Sequence, residues 1–176
     1  MPPRTMQNLS AALLIAGMQG LAPAAHANDL EANKELVRTQ YEEILSQGRF
    51  ELLDEVVAEN FIQHDEGSGK ADTRQLELSG REVTRQHFTK LREGIPDYRL
   101  DIQKIVAEGD IVSVFAVAGG THTGPLFGIP PTGKPFTFAT FDMFRIEDGK
   151  LAEHWDAVDR LGVMRRLGLV PISDGE

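Results

Sequence analysis

The hydrophobic period of this chain changes from helical to alternating near residue 99, and that change restricts the fold more than any other feature of the sequence. Before this point, apolar residues recur at helical spacing in three segments, 30–46, 50–57 and 79–94. After it, apolar and polar residues alternate, as they do in half-buried strands. Helices followed by a run of strands predict an α+β domain with an antiparallel sheet.

Short local signals set the ends of the predicted helices. Gly48 suits the end of the first helix, Ser79 opens the third, and Pro96 stops it. Between the second and third helices, residues 61–64 form a short extended piece that leads into a polar loop at 65–75.

Turn residues divide the second half of the chain into four predicted strands, 100–106, 111–117, 136–146 and 151–156. Asp148-Gly149 between two such runs is a strong hairpin signal. Strict alternation places one set of first-strand residues on a common face: Leu100, Ile102, Lys104 and Val106.

The segment 124–135 connects the second and third predicted strands and contains four prolines and three glycines. Such a composition is typical of a rigid, turn-rich connection. It is compatible either with a wide hairpin loop or with a rim over a pocket, to which Phe127 would contribute.

The N-terminus has the order of a secretory signal peptide. Arg4 precedes an apolar run from Leu9 to Met18, and the small-residue triplet Ala25-His26-Ala27 follows. We expect residues 1–27 to be removed, leaving residues 28–176 as one domain in the periplasm or outside the cell. The apolar run is too short for a membrane anchor. Because the chain has no cysteine, the core must carry the fold without disulfides, and thiol catalysis is excluded.

Charge and motif content exclude several classes of function. The chain has 18 Lys and Arg against 27 Asp and Glu, a formal net charge of −9, which argues against a nucleic-acid surface. Its histidines form neither an HxH nor an HExxH pair, so no metal site is predicted. The sequence also lacks the GxSxG motif of serine hydrolases.

Four stretches together resemble the SnoaL-like polyketide cyclase family of the nuclear transport factor 2-like superfamily: Thr121–Gly124, Gly128–Lys134, Asp142–Lys150 and Glu153–Asp156. The resemblance covers roughly residues 33–169. It implies a cone-shaped roll, in which a curved antiparallel sheet wraps around about three helices and encloses an apolar pocket. It also implies ester cyclase chemistry, an intramolecular aldol closure of a small apolar carbonyl compound without metal, cofactor or covalent intermediate. Because sheets of this fold commonly pair, we expect a homodimer.

The resemblance further implies an acid/base carboxylate in the pocket, assisted by histidine. The matching candidates are Asp142 and Asp156, of which we prefer Asp156 as base, with His122 or His154 as the partner of the enolate oxygen. Desolvation of a carboxylate raises its pKa and makes it a suitable base near neutral pH. The candidate substrate-binding residues are His64, Trp155, Phe61, Phe141, Tyr41 and Phe127.

The predicted hairpin sorts these candidates by face. A regular ladder through Asp148-Gly149 pairs Asp142 with Trp155 and Phe141 with Asp156. The two aspartates then lie on opposite faces, and only a bulge or twist would bring both into one pocket. His154 and Asp156 would share a face with Phe141 and with Met143.

Three functions remain open from the sequence. The first is a cyclase or isomerase that acts by enolisation. The second is an exported protein that binds a small apolar molecule without converting it. The third is a dimerising domain without a ligand.

Overall fold

The described part of a computed structural model covers residues 27–64 and 77–171. The predicted signal peptide lies outside it except for Ala27, and so does the predicted polar loop at 65–75. No helix within these ranges has both the length and the apolar character needed to cross a bilayer.

Most of the described residues before position 95 are helical, as the sequence predicts. Helix α1 spans Ala27–Arg38 and continues as a π-helical segment, Thr39–Leu45, after which Gly48 reverses the chain at a φ of 76°. A 3-10 turn, Phe50–Leu52, leads into the short helix α2, Leu53–Val56. Apolar side chains of the first helix are fully or almost fully buried and form one side of the core: Val37, Tyr41, Ile44 and Leu45.

Helix α3, Gly80–Gly94, begins where Ser79 predicts it. The Ser79 hydroxyl accepts a hydrogen bond from the backbone N–H of Glu82, which satisfies one of the unpaired donors of the first turn. A last helix, α4, covers Arg160–Leu167, and Asp159 caps it in the same way through the N–H of Gly162.

Five strands form one sheet in the order β1-β5-β4-β3-β2. Their bounds are Val57–Gln63 for β1, Arg99–Glu108 for β2, Ile111–Thr121 for β3, Pro135–Glu147 for β4 and Lys150–Val158 for β5. Strands β2 to β5 are antiparallel neighbours, whereas β1 joins the edge of β5 in parallel. The expected α+β architecture with a curved sheet against the helices is confirmed.

A register shift in β2 changes which of its residues face the core. The pairing with β3 slips between Ile102 and Lys104, so Ile105 pairs with Val114 on the inner face. The prediction that Lys104 and Val106 share the face of Leu100 is therefore wrong, because one extra residue in a bulge reverses every later side chain. Val106 is 64% exposed on the outer face.

The predicted hairpin turn is present. Asp148 and Gly149 have φ values of 50° and 71°, the two positive values that a type I′ turn requires. The turn keeps Ile146 opposite Leu151, as the sequence predicts, but the pairing shifts immediately afterwards. That shift in pairing determines which side chains lie together in the candidate site.

Candidate active site

A bulge at Ala152 places the two candidate aspartates side by side. After Ile146 and Leu151, the next pair is Arg145 with Glu153, so Ala152 has no partner of its own. From there Asp142 pairs directly with Asp156. The expectation of opposite faces is wrong, because a regular ladder does not allow for the extra residue. Both carboxylates lie on the inner face.

Asp142 is enclosed by hydrogen-bond donors. Its side chain lies almost wholly inside the protein, and the residue is 8% exposed. One carboxylate oxygen, Oδ2, accepts from the hydroxyl of Thr140 at 2.9 Å, and the other, Oδ1, lies 3.1 Å from Nε2 of His154. Asp142 is therefore a held, buried carboxylate with little access to an incoming molecule.

Asp156 is more accessible than Asp142. It is partly exposed, and its Oδ1 accepts a hydrogen bond of 3.0 Å from the amide of Gln63. The same Gln63 presents Oε1 to Nδ1 of His154 at 2.7 Å. A continuous chain of hydrogen bonds thus links Asp142, His154, Gln63 and Asp156.

Two tyrosines lie near the carboxylate pair. Burial raises the pKa of Tyr41 far above its ordinary value, and the charge and hydrogen bond of Asp142 raise it further. Burial also raises the pKa of Tyr98, with smaller contributions from the charges of Asp142 and Asp156. Both phenols consequently keep their protons at neutral pH and can act as hydrogen-bond donors.

Aromatic rings surround His154, the histidine of the hydrogen-bond chain. The ring of His154 stacks on Phe144 at a centroid distance of 4.4 Å and lies 6.5 Å from Phe61. Phe144 is wholly buried and Phe61 is 3% exposed. Tyr41 contacts the edge of Phe144 at 6.1 Å. The site therefore combines ionisable groups with apolar walls, the setting in which acid/base chemistry on a carbonyl compound is effective.

Comparison with known proteins identifies the family. A model of the SnoaL-like polyketide cyclases matches residues 35–167. The chain belongs to this family. Among solved structures, TsrD from Streptomyces laurentii superimposes with a TM-score of 0.69 at 26% identity, over 80% of this chain and 97% of that one. IdmH from Streptomyces antibioticus does so with a TM-score of 0.64 at 30% identity, over 77% and 98%.

Curated relatives of this SnoaL-like protein are cyclases of aromatic polyketides. Nogalonic acid methyl ester cyclase from Streptomyces nogalater is 39% identical over 70 residues, which are 40% of this chain and 52% of that protein. Aklanonic acid methyl ester cyclase DnrD from Streptomyces peucetius is 45% identical over 49 residues, which are 28% and 34%. The chain thus spans about half the length, or less, of the curated relatives that it matches.

Three of the predicted substrate-binding residues lie on the outer face of the sheet. Phe141 and Trp155 flank the aspartates in sequence and so point away from them, and Phe141 is 60% exposed. His64 stacks on Trp155 at 4.3 Å and contacts Glu153 at 2.6 Å. Their side chains therefore lie on the face of the sheet opposite to His154, where a groove is lined by these three residues and also by Asp142 and Asp156. The predicted grouping of His154 and Asp156 with Phe141 and Met143 is wrong for the same reason.

Of the remaining candidates, Tyr41, Phe61 and His154 lie in the inner site, and two others do not. His122 is wholly buried just beyond the end of β3, where Nδ1 lies 3.2 Å from the hydroxyl of Thr132 rather than against the carboxylates. Phe127 is 55% exposed and stacks on His87 of α3 at 5.0 Å.

Sequence reasoning missed Gln63, Tyr98 and Thr140, none of which carries a charge at neutral pH. The adjacent apolar pair Leu151-Ala152, both buried, was a signal that alternation breaks in β5. Reading that break as a bulge would have joined Asp142 to Asp156. Within residues 27–64 and 77–171, no group of three or more His, Asp or Glu side chains is arranged to hold a metal ion.

Proposed function

We propose that this SnoaL-like protein is an acid/base enzyme that cyclises or isomerises a small apolar carbonyl compound through an enolate, without a cofactor. The observation that carries the proposal is the direct pairing of Asp142 with Asp156 on the inner face, joined through His154 and Gln63. A buried, hydrogen-bonded carboxylate beside a more accessible one gives two groups with different roles.

Asp156 is the proposed base. It is the more exposed of the two carboxylates, whereas Asp142 is occupied by Thr140 and His154. The base removes a proton next to the substrate carbonyl, and the resulting enolate attacks a second carbonyl to close the ring. The same carboxylic acid then returns the proton to the new alkoxide, so the enzyme ends unchanged.

Tyr98 is the proposed donor to the enolate oxygen. His154 is a poor candidate because both of its ring nitrogens have partners, Gln63 and Asp142. The raised pKa of Tyr98 keeps its hydroxyl protonated, and its position near both carboxylates supports the assignment. We expect Tyr98→Phe to lower kcat by about 10–100-fold, since loss of one such donor costs at most about 10³-fold.

The proposal is tested with nogalonic acid methyl ester, aklanonic acid methyl ester and a panel of β-dicarbonyl compounds. Cyclisation is followed by chromatography, and exchange of the acidic C–H for deuterium is followed by NMR. We expect Asp156→Asn to lower the rate by at least about 10²-fold, the typical value of one acid/base group. Absence of exchange and of cyclisation with every compound would overturn the proposal, and unchanged ligand recovered with the protein would favour the binding function.

We further propose that the protein forms a homodimer through the outer face of its sheet. Exposed apolar side chains line a groove of about 540 Å³ over the middle strands, among them Val106, Phe141 and Met143. Lys104 and His64 also line this groove, as do Asp142 and Asp156. Apolar side chains are enriched in interfaces between identical copies. Light scattering at several concentrations should give a dimer mass for the parent protein and a monomer mass for Phe141→Asp.

The predicted export remains a proposal as well. Cell fractionation followed by N-terminal sequencing should recover a chain that starts at Asn28 in the periplasm or medium. An intact N-terminus in the cytosol would contradict it.

A further inference from the structure

We propose that Gln63 is a positioning residue that fixes His154 in its Nδ1–H form and holds Asp156 at the same time. The inference rests on the proposed function for its catalytic consequence, but its structural part does not. Gln63 is the last residue of β1 and pairs in parallel with His154 of β5. This register places its amide between the ring of His154 and the carboxylate of Asp156.

The orientation of the Gln63 amide follows from its partners. Nε2 lies 3.0 Å from Oδ1 of Asp156 and 3.2 Å from the backbone carbonyl oxygen of His64. A carbonyl oxygen can only accept, whatever the protonation state of Asp156. The reversed amide would place Oε1 against that carbonyl oxygen, which is unfavourable. The NH₂ group therefore faces Asp156, and Oε1 faces the histidine.

This orientation determines the tautomer of His154. Because Oε1 of Gln63 can only accept, the ring nitrogen Nδ1 at 2.7 Å must carry a hydrogen. The exchangeable proton of the ring is then the one at Nε2, which lies 3.1 Å from Oδ1 of Asp142. Either the ring is cationic and donates to the carboxylate, or a protonated Asp142 donates to a neutral ring.

Gln63 therefore couples His154 to Asp156 through the polarisation of its amide group, and it does not carry a proton between them. An amide is not a proton carrier at neutral pH, so Asp156 and His154 do not exchange a proton through it. A hydrogen bond donated to Oε1 by His154 polarises the amide and strengthens the bond that Nε2 donates to Asp156. In this way the buried pair of Asp142 and His154 stabilises the charged form of Asp156.

Two substitutions at Gln63 separate its two contacts. Gln63→Met keeps a similar length and volume but removes both the acceptor and the donor. Without Gln63, the carboxylate of Asp142 favours a hydrogen on Nε2, so Nδ1 of the neutral ring should lose its hydrogen. Gln63→Glu keeps an acceptor for Nδ1–H but removes the donor to Asp156 and adds a negative charge beside it.

The chain offers a matched control at Gln40. This glutamine is 4% exposed in the π-helical segment, and its Oε1 accepts no hydrogen bond from the described residues. Gln40→Met therefore makes the same chemical change at a buried position that is not a member of the four-residue chain. Thermal unfolding of each variant verifies that it is folded before any comparison.

The first measurement is long-range ¹H–¹⁵N NMR of the full chain labelled at histidine, with the His154 signal assigned from its loss in His154→Asn. In the parent protein, Gln63→Glu and Gln40→Met, we expect Nδ1 to remain protonated when the ring is neutral. In Gln63→Met, we expect the hydrogen on Nε2 instead. A neutral parent ring with unprotonated Nδ1 would overturn the inference, and no substrate is needed to see it.

The second measurement is the rate of cyclisation or deuterium exchange with the compounds named above. We expect kcat to fall at least 10-fold in both Gln63 variants, with KM little changed, because ring orientation and tautomer act on the chemical step. Gln40→Met should keep the parent rate. An unchanged kcat in Gln63→Met would overturn the positioning role. An inactive parent protein with the expected NMR result would instead refute the proposed function alone.

Discussion

Replacement of Asp142 by asparagine tests whether the buried carboxylate is a structural element of the site. The side chain accepts hydrogen bonds from Thr140 and Tyr41 and lies against His154, and asparagine keeps only one acceptor oxygen where the carboxylate has two. A hydrogen bond to a charged group contributes about 1.5–3 kcal/mol. Asparagine avoids the desolvation of a carboxylate, which offsets part of the loss. We expect the free energy of unfolding to fall by about 2 kcal/mol.

The assay is urea unfolding followed by fluorescence of Trp155, the only tryptophan of the chain. For a domain of this size the dependence on urea is typically about 1–3 kcal/mol per molar, so the midpoint should fall by roughly 1 M. The matched variant Asp156→Asn should lose less than about 1 kcal/mol, because its side chain is partly exposed and asparagine still accepts from Gln63.

The result that refutes this reasoning is an unchanged or higher midpoint for Asp142→Asn, which would mean that the hydrogen-bond partners of this side chain do not depend on the carboxylate. A double-mutant cycle with Thr140→Val sharpens the test. Because the two residues share one hydrogen bond of 2.9 Å, their separate effects should not add.

Two further substitutions test the packing of the core and the ion pairs that Glu153 forms with His64 and Arg145. Phe144→Ala removes a wholly buried ring and should cost about 3–5 kcal/mol in the same urea assay; a loss below about 1 kcal/mol would contradict the packing. Hydrogen bonds from His64 and then Arg145 hold the pKa of Glu153 below its ordinary value. The contribution of this carboxylate to the free energy of unfolding is therefore fully present above its ordinary pKa, and it is lost as pH falls through the lowered pKa. Glu153→Gln should flatten this acid-side decline in unfolding midpoint, and an unchanged pH profile would contradict the ion pair.

The sequence determined those parts of the fold that depend on local chemistry. A serine before a segment of helical period fixes the start of α3, because its hydroxyl satisfies a free backbone donor of the first turn. The turn at Asp148-Gly149 is fixed because few residues adopt two successive positive φ values. The change from helical to alternating period gave the α+β class, and the motifs between 121 and 156 led to the family.

Only the tertiary structure decided which residues share the site. Alternation predicts faces only while each residue has one partner, and the bulge at Ala152 breaks that condition. Tertiary contacts stabilise the bulge, because it buries Ala152 and brings the ring of His154 against Phe144. The conformational preferences of the residues near Ala152 do not predict these tertiary contacts.

The same limit applies to Gln63, which lies 91 positions from His154 and 93 from Asp156. An uncharged glutamine at the end of a short strand carries no signal in the sequence. Its role arises because β1 pairs in parallel with the edge of β5, and a pairing between distant segments depends on the whole packed domain. The sequence therefore specified the carboxylates, and the packed sheet specified what connects them.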